Sequence, residues 1–174
     1  MAVNLTRLTP KQRMFREAMA NLSAGVNVVT TDGPRGRAGI TVSAACSVTD
    51  TPPTMLVCIN QSSRSHDIFT GNERICVNVL GPEQRHVAQA FAGGVPAEER
   101  FAASGDVWDH TVADVPVLKG SAASVVGRIT GTAQRGSHTV MFVEADRVIV
   151  GEEGGGALVY FRRQFHEIPT SLIA

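Results

Sequence analysis

Apolar positions along this chain change their period once, early. Met14, Phe15, Ala18, Met19 and Leu22 recur at helical spacing. Thr9 precedes them as an N-cap, Pro10 takes the first helical position and Gln12 completes a capping box. The pattern predicts a helix over residues 10–23 whose stripe packs on the domain or on another subunit. From residue 26 the apolar positions become β-branched runs. Residues 26–31, 37–49, 54–60, 74–80, 121–134, 138–151 and 157–161 each predict a strand. Turn chemistry separates them at residues 32–36, 50–53, 135–136 and 152–156. Two short helices are predicted between strands. One covers residues 65–71, with Ser65 as cap and Gly71 as stop; the other covers 82–91, where Val87, Ala88 and Phe91 share a face. Residues 92–116 are weakly periodic and hold Trp108, the one tryptophan. They predict a long ordered excursion with a helical turn around 98–101, and excursions of this length are often functional. About seven strands with short connections make a mainly β domain, a sandwich or barrel with added helices, rather than a doubly wound sheet.

Composition narrows the function classes. The chain has 174 residues, 43% of them hydrophobic and 18% charged, which is globular and the size of one domain. Sixteen basic residues balance sixteen acidic ones. No basic excess marks a nucleic-acid binder, and low net charge permits self-association. No apolar run is long enough for a membrane span, and residues 1–8 lack the apolar segment of a leader. The expected location is the cytoplasm. Cys46, Cys58 and Cys76 form no CxxC pair, so neither a zinc knuckle nor a thioredoxin-like motif is present. They read as small buried hydrophobes. The five histidines are well separated and support no metal site. The glycines near residues 151–156 lack the dinucleotide spacing, and no P-loop, H-E-x-x-H or G-x-S-x-G occurs.

What remains is a dense set of small hydroxyl and amide residues. Thr41, Ser43, Ser47 and Thr49 lie along one small-residue strand; Asn60, Ser62, Ser63 and Ser65 follow the next strand and precede a helix. A strand end, free backbone N–H groups and serine hydroxyls make a reasonable anion site, to which Arg64 adds charge. The same residues also describe an ordinary serine-rich loop that caps a helix. The small residues additionally let a flat ring approach the backbone closely.

Several segments, in order, carry a resemblance to a known family. They are residues 20–30 with Gly39-Ile-Thr-Val-Ser43, Cys46-Ser-Val-Thr-Asp-Thr-Pro-Pro53, Val57-Cys-Ile-Asn60, Cys76-Val-Asn-Val-Leu80, Pro116-Val-Leu-Lys-Gly120, Gly136-Ser-His138 and Tyr160-Phe161. From about Phe15 to His166 the chain resembles the short-chain flavin reductases, the reductase components of two-component flavin-dependent monooxygenases. The resemblance implies an FMN-binding split barrel of Greek-key type, one domain over residues 1–174 with the barrel at about 26–166, working as a homodimer. It implies NAD(P)H-dependent reduction of free FMN or FAD. The product would serve a separate oxygenase acting on an aromatic compound, of the 4-hydroxyphenylacetate 3-monooxygenase type.

Carried over by position, Asn27, Thr30, Thr41, Ser43, Ala44, Cys46 and Ser47 match the stretches near the isoalloxazine. Asn60, Ser63 and Ser65 match the stretch that holds the ribityl and phosphate groups. His138 would position the nicotinamide, with Tyr160 and Arg163 closing over it. Ser137 stands where the family often has Asp. Arg162 and Arg163 are candidates for a 2′-phosphate, so NADH and NADPH both stay open, as do FMN and FAD. An alternative reading is a split-barrel protein that holds FMN as an electron carrier or sensor without turnover. A third is an interaction protein with a vestigial flavin site. Rapid exchange with added flavin separates the first of these from the enzyme.

Overall fold

The computed structural model describes residues 8–151 and 155–169. Residues 1–7, most of the segment expected to lack a leader, and residues 152–154 of the predicted break lie outside them. Helix α1 spans Pro10–Ala20 with its capping box formed: Thr9 Oγ1 accepts from the Gln12 amide and Gln12 Oε1 accepts from the Thr9 amide. None of its residues is buried.

The strands are β1 (Ala24–Gly25), β2 (Asn27–Thr31), β3 (Ala38–Val42), β4 (Ala45–Asp50), β5 (Pro53–Asn60), β6 (Arg74–Val79), β7 (Trp108–Asp109), β8 (Val117–Leu118), β9 (Ala123–Arg135), β10 (His138–Val150), β11 (Ala157–Phe161) and β12 (Gln164–Ile168). Helices α2 (His66–Asn72), α3 (Arg85–Ala92) and α4 (Ala97–Ser104) lie between them. Seven strands form one antiparallel sheet in the order β3-β2-β6-β9-β10-β5-β4, β1-β11-β12 form a second and β7-β8 a third.

The predicted strand over residues 37–49 is two strands. β3 pairs with β2 at one edge of the large sheet and β4 pairs with β5 at the other. A flat seven-stranded sheet would hold its edges roughly 29 Å apart. Ser43 and Ala44 alone join β3 to β4, a link that reaches about 11 Å. The sheet therefore curls until its edges approach; beyond the link, the Ala44 carbonyl already joins the β4–β5 pairing, accepting from the Cys58 amide at 2.9 Å. No ladder pairs β3 with β4, so the barrel is split at this seam rather than closed.

The inside of the curl and the excursion over its outer face bury β6 on both sides, so Ile75, Cys76, Val77 and Asn78 are all buried. Ile75 and Val77 join Val29, Val57, Phe69 and Met141 inside the curl. Cys76 and Asn78 face outward beneath the excursion that runs from α4 to β8. Asn78 is fully buried there. Its Oδ1 accepts from the Leu118 amide (2.9 Å) and the Ser124 hydroxyl (2.8 Å), and its Nδ2 donates to the Val28 carbonyl (3.0 Å). One amide thus ties β2, β6, β8 and β9 together.

Three further differences from the sequence pattern have local causes. α2 runs past Gly71 and ends at Glu73, which takes the left-handed conformation at φ 61°. Gly71 is small for another reason: a Cβ there would lie 2.6 Å from Arg35 Cγ. The excursion holds two full turns of helix in α4 rather than one. β12 follows a hairpin turn built on Arg162 (φ 48°) and Arg163 (φ 64°). Such turns normally show Asn or Gly, so the pattern gave no signal for it.

Replacing Asn78 with Ala strands the Leu118 amide and the Val28 carbonyl away from water. The variant is expected to lose about 2–4 kcal/mol of stability in urea unfolding. A loss below about 0.5 kcal/mol would contradict the role assigned to this network.

Candidate functional site

Where β3 leaves the sheet, a cleft of about 780 Å³ opens. Its walls are residues 40–43 of β3 and the seam, residues 60–64 after β5, residues 91–94 at the end of α3 with Arg100 of α4, and Tyr160, Arg163 and Phe165 of the β11–β12 hairpin. Each wall is set by a specific contact. The Phe91 ring lies directly over Gly39, where a Cβ would come within 2.2 Å of Cε1. Thr41 Oγ1 donates to the Ala88 carbonyl at 2.7 Å, which fixes β3 against α3. Phe91, Phe101 and Trp108 form an edge-to-face triangle with centroids 4.9–5.3 Å apart. Tyr160 and Phe165 pair the same way at 5.3 Å across the hairpin.

The 60–65 loop organises itself. Asn60 Oδ1 accepts from the Ser62 amide and hydroxyl, both at 2.9 Å. Ser63 Oγ accepts from the Ser65 amide at 3.3 Å, which leaves the Ser63 O–H free to donate into the cleft. Ser65 precedes α2 but makes no side-chain cap bond. With only seven residues, α2 contributes little axial dipole, so the loop's polarity rests on its serines and on exposed Arg64.

The cleft's charge is one-sided. Arg64, Arg100 and Arg163 line it, and no carboxylate does among the described residues. Arg163 is held by Glu17 of α1 at 2.6 Å, a pair that keeps the Glu17 carboxyl below its usual range. Arg100 is 6% exposed. Burial, with Arg64 adding repulsion, pulls its pKa below the ordinary arginine value.

Thr41, Ser43, Asn60, Ser63, Tyr160 and Arg163 therefore meet in one cleft as the sequence reading expected. The other expected residues do not line it. Thr30 is fully buried with its hydroxyl donated to the Pro116 carbonyl, and Asn27 is buried with its amide turned to the Gly25 carbonyl. Both belong to a strand buried along its whole length, so their polar groups serve the core. Ala44, Cys46 and Ser47 follow the chain across the seam to β4 at the far edge of the sheet. Ser65 is buried beneath its loop. His138 is exposed at the start of β10, opposite Asn60 in the ladder, with Nδ1 2.9 Å from the Ser137 hydroxyl. It stands beside the cleft rather than in its wall.

Sequence reasoning missed Arg100, Phe91, the Gly93–Gly94 pair and Phe165. The first three lie in or at the edge of the excursion whose length marked it as functional. Phe165 sits on the strand hidden by the unusual hairpin. Among the described residues, no His, Cys, Asp or Glu cluster is suited to a metal, and no helix is long and apolar enough to cross a membrane.

A curled, seamed β-sheet with an aromatic and cationic cleft at the seam is a fold and site of one class. The Flavin reductase like domain profile matches residues 19–169. The 4-hydroxyphenylacetate 3-monooxygenase reductase component of Pseudomonas aeruginosa is 48% identical over 166 residues, 94% of this chain and 96% of its own length. The FMN reductase (NADH) RutF of Stutzerimonas stutzeri is 45% identical over 157 residues, 90% of this chain and 88% of its own. Among solved structures, a nitrilotriacetate monooxygenase component B homolog from Mycobacterium thermoresistibile superposes with a TM-score of 0.84 at 25% identity, over 94% of this chain and 90% of its own. The chain belongs to the flavin reductase family.

The three cysteines were expected to be small buried hydrophobes, and only Cys76 is buried. Burial pushes the Cys76 thiol up to about 12, and burial followed by the nearby Cys46 raises Cys58. Cys46 is exposed. A thiol reagent at pH 8 is expected to modify Cys46 first, Cys58 at least several-fold more slowly, and Cys76 only after unfolding. Rapid native labelling of all three would contradict the burial described for β6.

Proposed function

We propose that this protein uses NADH to reduce flavin and releases the reduced flavin to a separate oxygenase that acts on a phenolic compound. The observation that carries the reading is the cleft itself: aromatic and small on its floor, cationic at its walls and free of carboxylates. Such a lining suits a planar ring with a phosphorylated tail. The names of the relatives, a monooxygenase reductase component and an FMN reductase using NADH, point the same way.

When bound, flavin and the reduced nicotinamide supply the hydride chemistry between them. The chain's task is to bind, align and exclude water. Gly93 and Gly94 keep the floor clear for a flat ring, and Gly39 lets the Phe91 ring pack against β3. Ser43 lies past the end of the β3 ladder, so its backbone N–H is outside sheet pairing and available to a polar ring edge. Asn60 and Ser63 face the polar tail, with the Ser63 O–H as donor. Tyr160 and Arg163 form the opposite wall and would orient the nicotinamide, with His138 beside Asn60 guiding the approach. The Arg163–Glu17 pair holds that wall in place from α1. No protein nucleophile is required, and the thiols take no part.

We also assign a homodimer to the cytoplasm. α1 presents Met14 (73% exposed), Phe15 (64%) and Leu22 (65%) just beyond its end, with no residue of the helix buried. A second copy covering this stripe accounts for its apolar character. Light scattering is expected to give the mass of two chains, and Phe15→Glu to shift it toward one. A wild-type monomer would remove the dimer.

The direct test is NADH oxidation by the purified protein with FMN, FAD or neither added. Oxidation that rises and saturates with added flavin is expected. Bound flavin with no response to added flavin would instead favour a carrier or sensor that retains its flavin.

A further inference from the structure

Three arginines line the cleft, and one of them is matched. Arg64 and Arg100 have no carboxylate within 4 Å among the described residues. Arg163 instead gives its fork to Glu17 of α1: Nη2 donates to Oε1 at 2.6 Å and Nη1 to Oε2 at 3.3 Å. Its neighbour Arg162 is taken by the same end of the helix. The Arg162 amide donates to the Ala20 carbonyl at 2.8 Å and its Nε to Asn21 Oδ1 at 3.1 Å. Its guanidinium lies over the Phe161 ring, 5.4 Å from the centroid. Both arginines are left-handed, at φ 48° and 64°, in a turn that Asn or Gly would form at lower cost. An exposed ion pair contributes little to stability. The larger effect of this one is on charge. On the Tyr160 side of the cleft Arg163 is the one lining cation among the described residues, and the carboxylate behind it offsets its charge.

We propose that Glu17, by occupying the Arg163 fork, makes this cleft select NADH over NADPH. The proposal deepens the flavin-reductase reading and rests on it. The two nucleotides differ by one 2′-phosphate, a group with a charge of about −1.5 to −2 at neutral pH. An arginine fork holds such a group through paired hydrogen bonds. The hairpin turn offers two forks, and from the sequence alone they keep both nucleotides open. In the folded chain α1 takes both. The Arg163 fork already carries a carboxylate in the two-bond arrangement a phosphate would use, and the Arg162 Nε is on Asn21. A 2′-phosphate arriving on this side would have to displace Glu17 and then lie beside its negative charge. NADH carries a neutral 2′-hydroxyl and meets neither obstacle. Glu17 touches Arg163 and not the nucleotide, so it is a positioning residue.

The test is the ratio of kcat/KM for NADH to that for NADPH, measured with added FMN. The native protein is expected to favour NADH by at least about tenfold. Glu17→Gln keeps the shape and removes the charge. It should cut the preference about tenfold, through a lower KM for NADPH. Glu17→Asp keeps the charge and should keep the preference. Adding Arg163→Ala to Glu17→Gln should cancel the gain in NADPH use, because the freed fork is then missing. Equal use of both nucleotides by the native protein would overturn the proposal. So would a Glu17→Gln variant that loses activity with both in the same proportion, which is what a purely structural role gives. Calorimetric binding of NAD+ and NADP+ to the native and Glu17→Gln proteins needs no turnover. NADP+ is expected to bind the native protein at least about tenfold more weakly than NAD+, and Glu17→Gln to narrow the gap; equal affinities in the native protein would contradict the selection. If neither nucleotide is oxidised with any flavin, the reductase reading fails, and the calorimetric ratio still decides the role of Glu17.

Discussion

The bare backbone of Gly39 is the contact on which the rest of the site depends. Phe91 from α3 lies against its Cα, at a distance no side chain would permit. Arg100 from α4 takes its carbonyl. Both helices that wall the cleft therefore register on one residue of one edge strand. Thr41, two positions on, binds α3 a second time through the Ala88 carbonyl. Any side chain at position 39 would push α3 outward, lose the aromatic triangle of Phe91, Phe101 and Trp108, and pull Arg100 away from its anchor.

That edge exists because the sheet is curled and not closed. A two-residue link between strands on opposite edges forces the curl, and the same link ends the β3 ladder at the wall of the cleft, leaving backbone groups there outside sheet pairing. Closing the barrel by pairing β3 with β4 would satisfy those groups internally and remove the cleft. The fold thus places its unsatisfied polar groups, its small residues and its unmatched cations together. The buried polar network at Asn78 does the opposite work on the outer face, where each of its atoms finds a protein partner and the excursion is fixed to the sheet.

Much of this was legible in the sequence. The capping box of α1, the period-2 runs of the large sheet and the serine loop after β5 depend on local chemistry, and local chemistry is what sequence patterns report. The candidate site was legible by half. Thr41, Ser43, Asn60, Ser63, Tyr160 and Arg163 meet in the cleft, whereas Thr30 and Asn27 turn out to serve the core. Their strand is buried on both faces, so the alternation that would have separated core from cleft residues is missing. Cys46 and Ser47 left the site because the small-residue strand divides at Ser43, a break dictated by pairing partners far away in the chain. Arg100 was invisible for the same kind of reason: a single arginine in an aperiodic stretch looks like surface until tertiary packing buries it. β12 was hidden by a hairpin turn that uses two arginines where glycine or asparagine would announce it.

The most direct measurement is a crystal structure of the protein bound to FMN. The account predicts the ring against residues 41–43 in the cleft at the seam, with the polar tail against Asn60 and Ser63. FMN seated elsewhere on the protein would contradict the central claim.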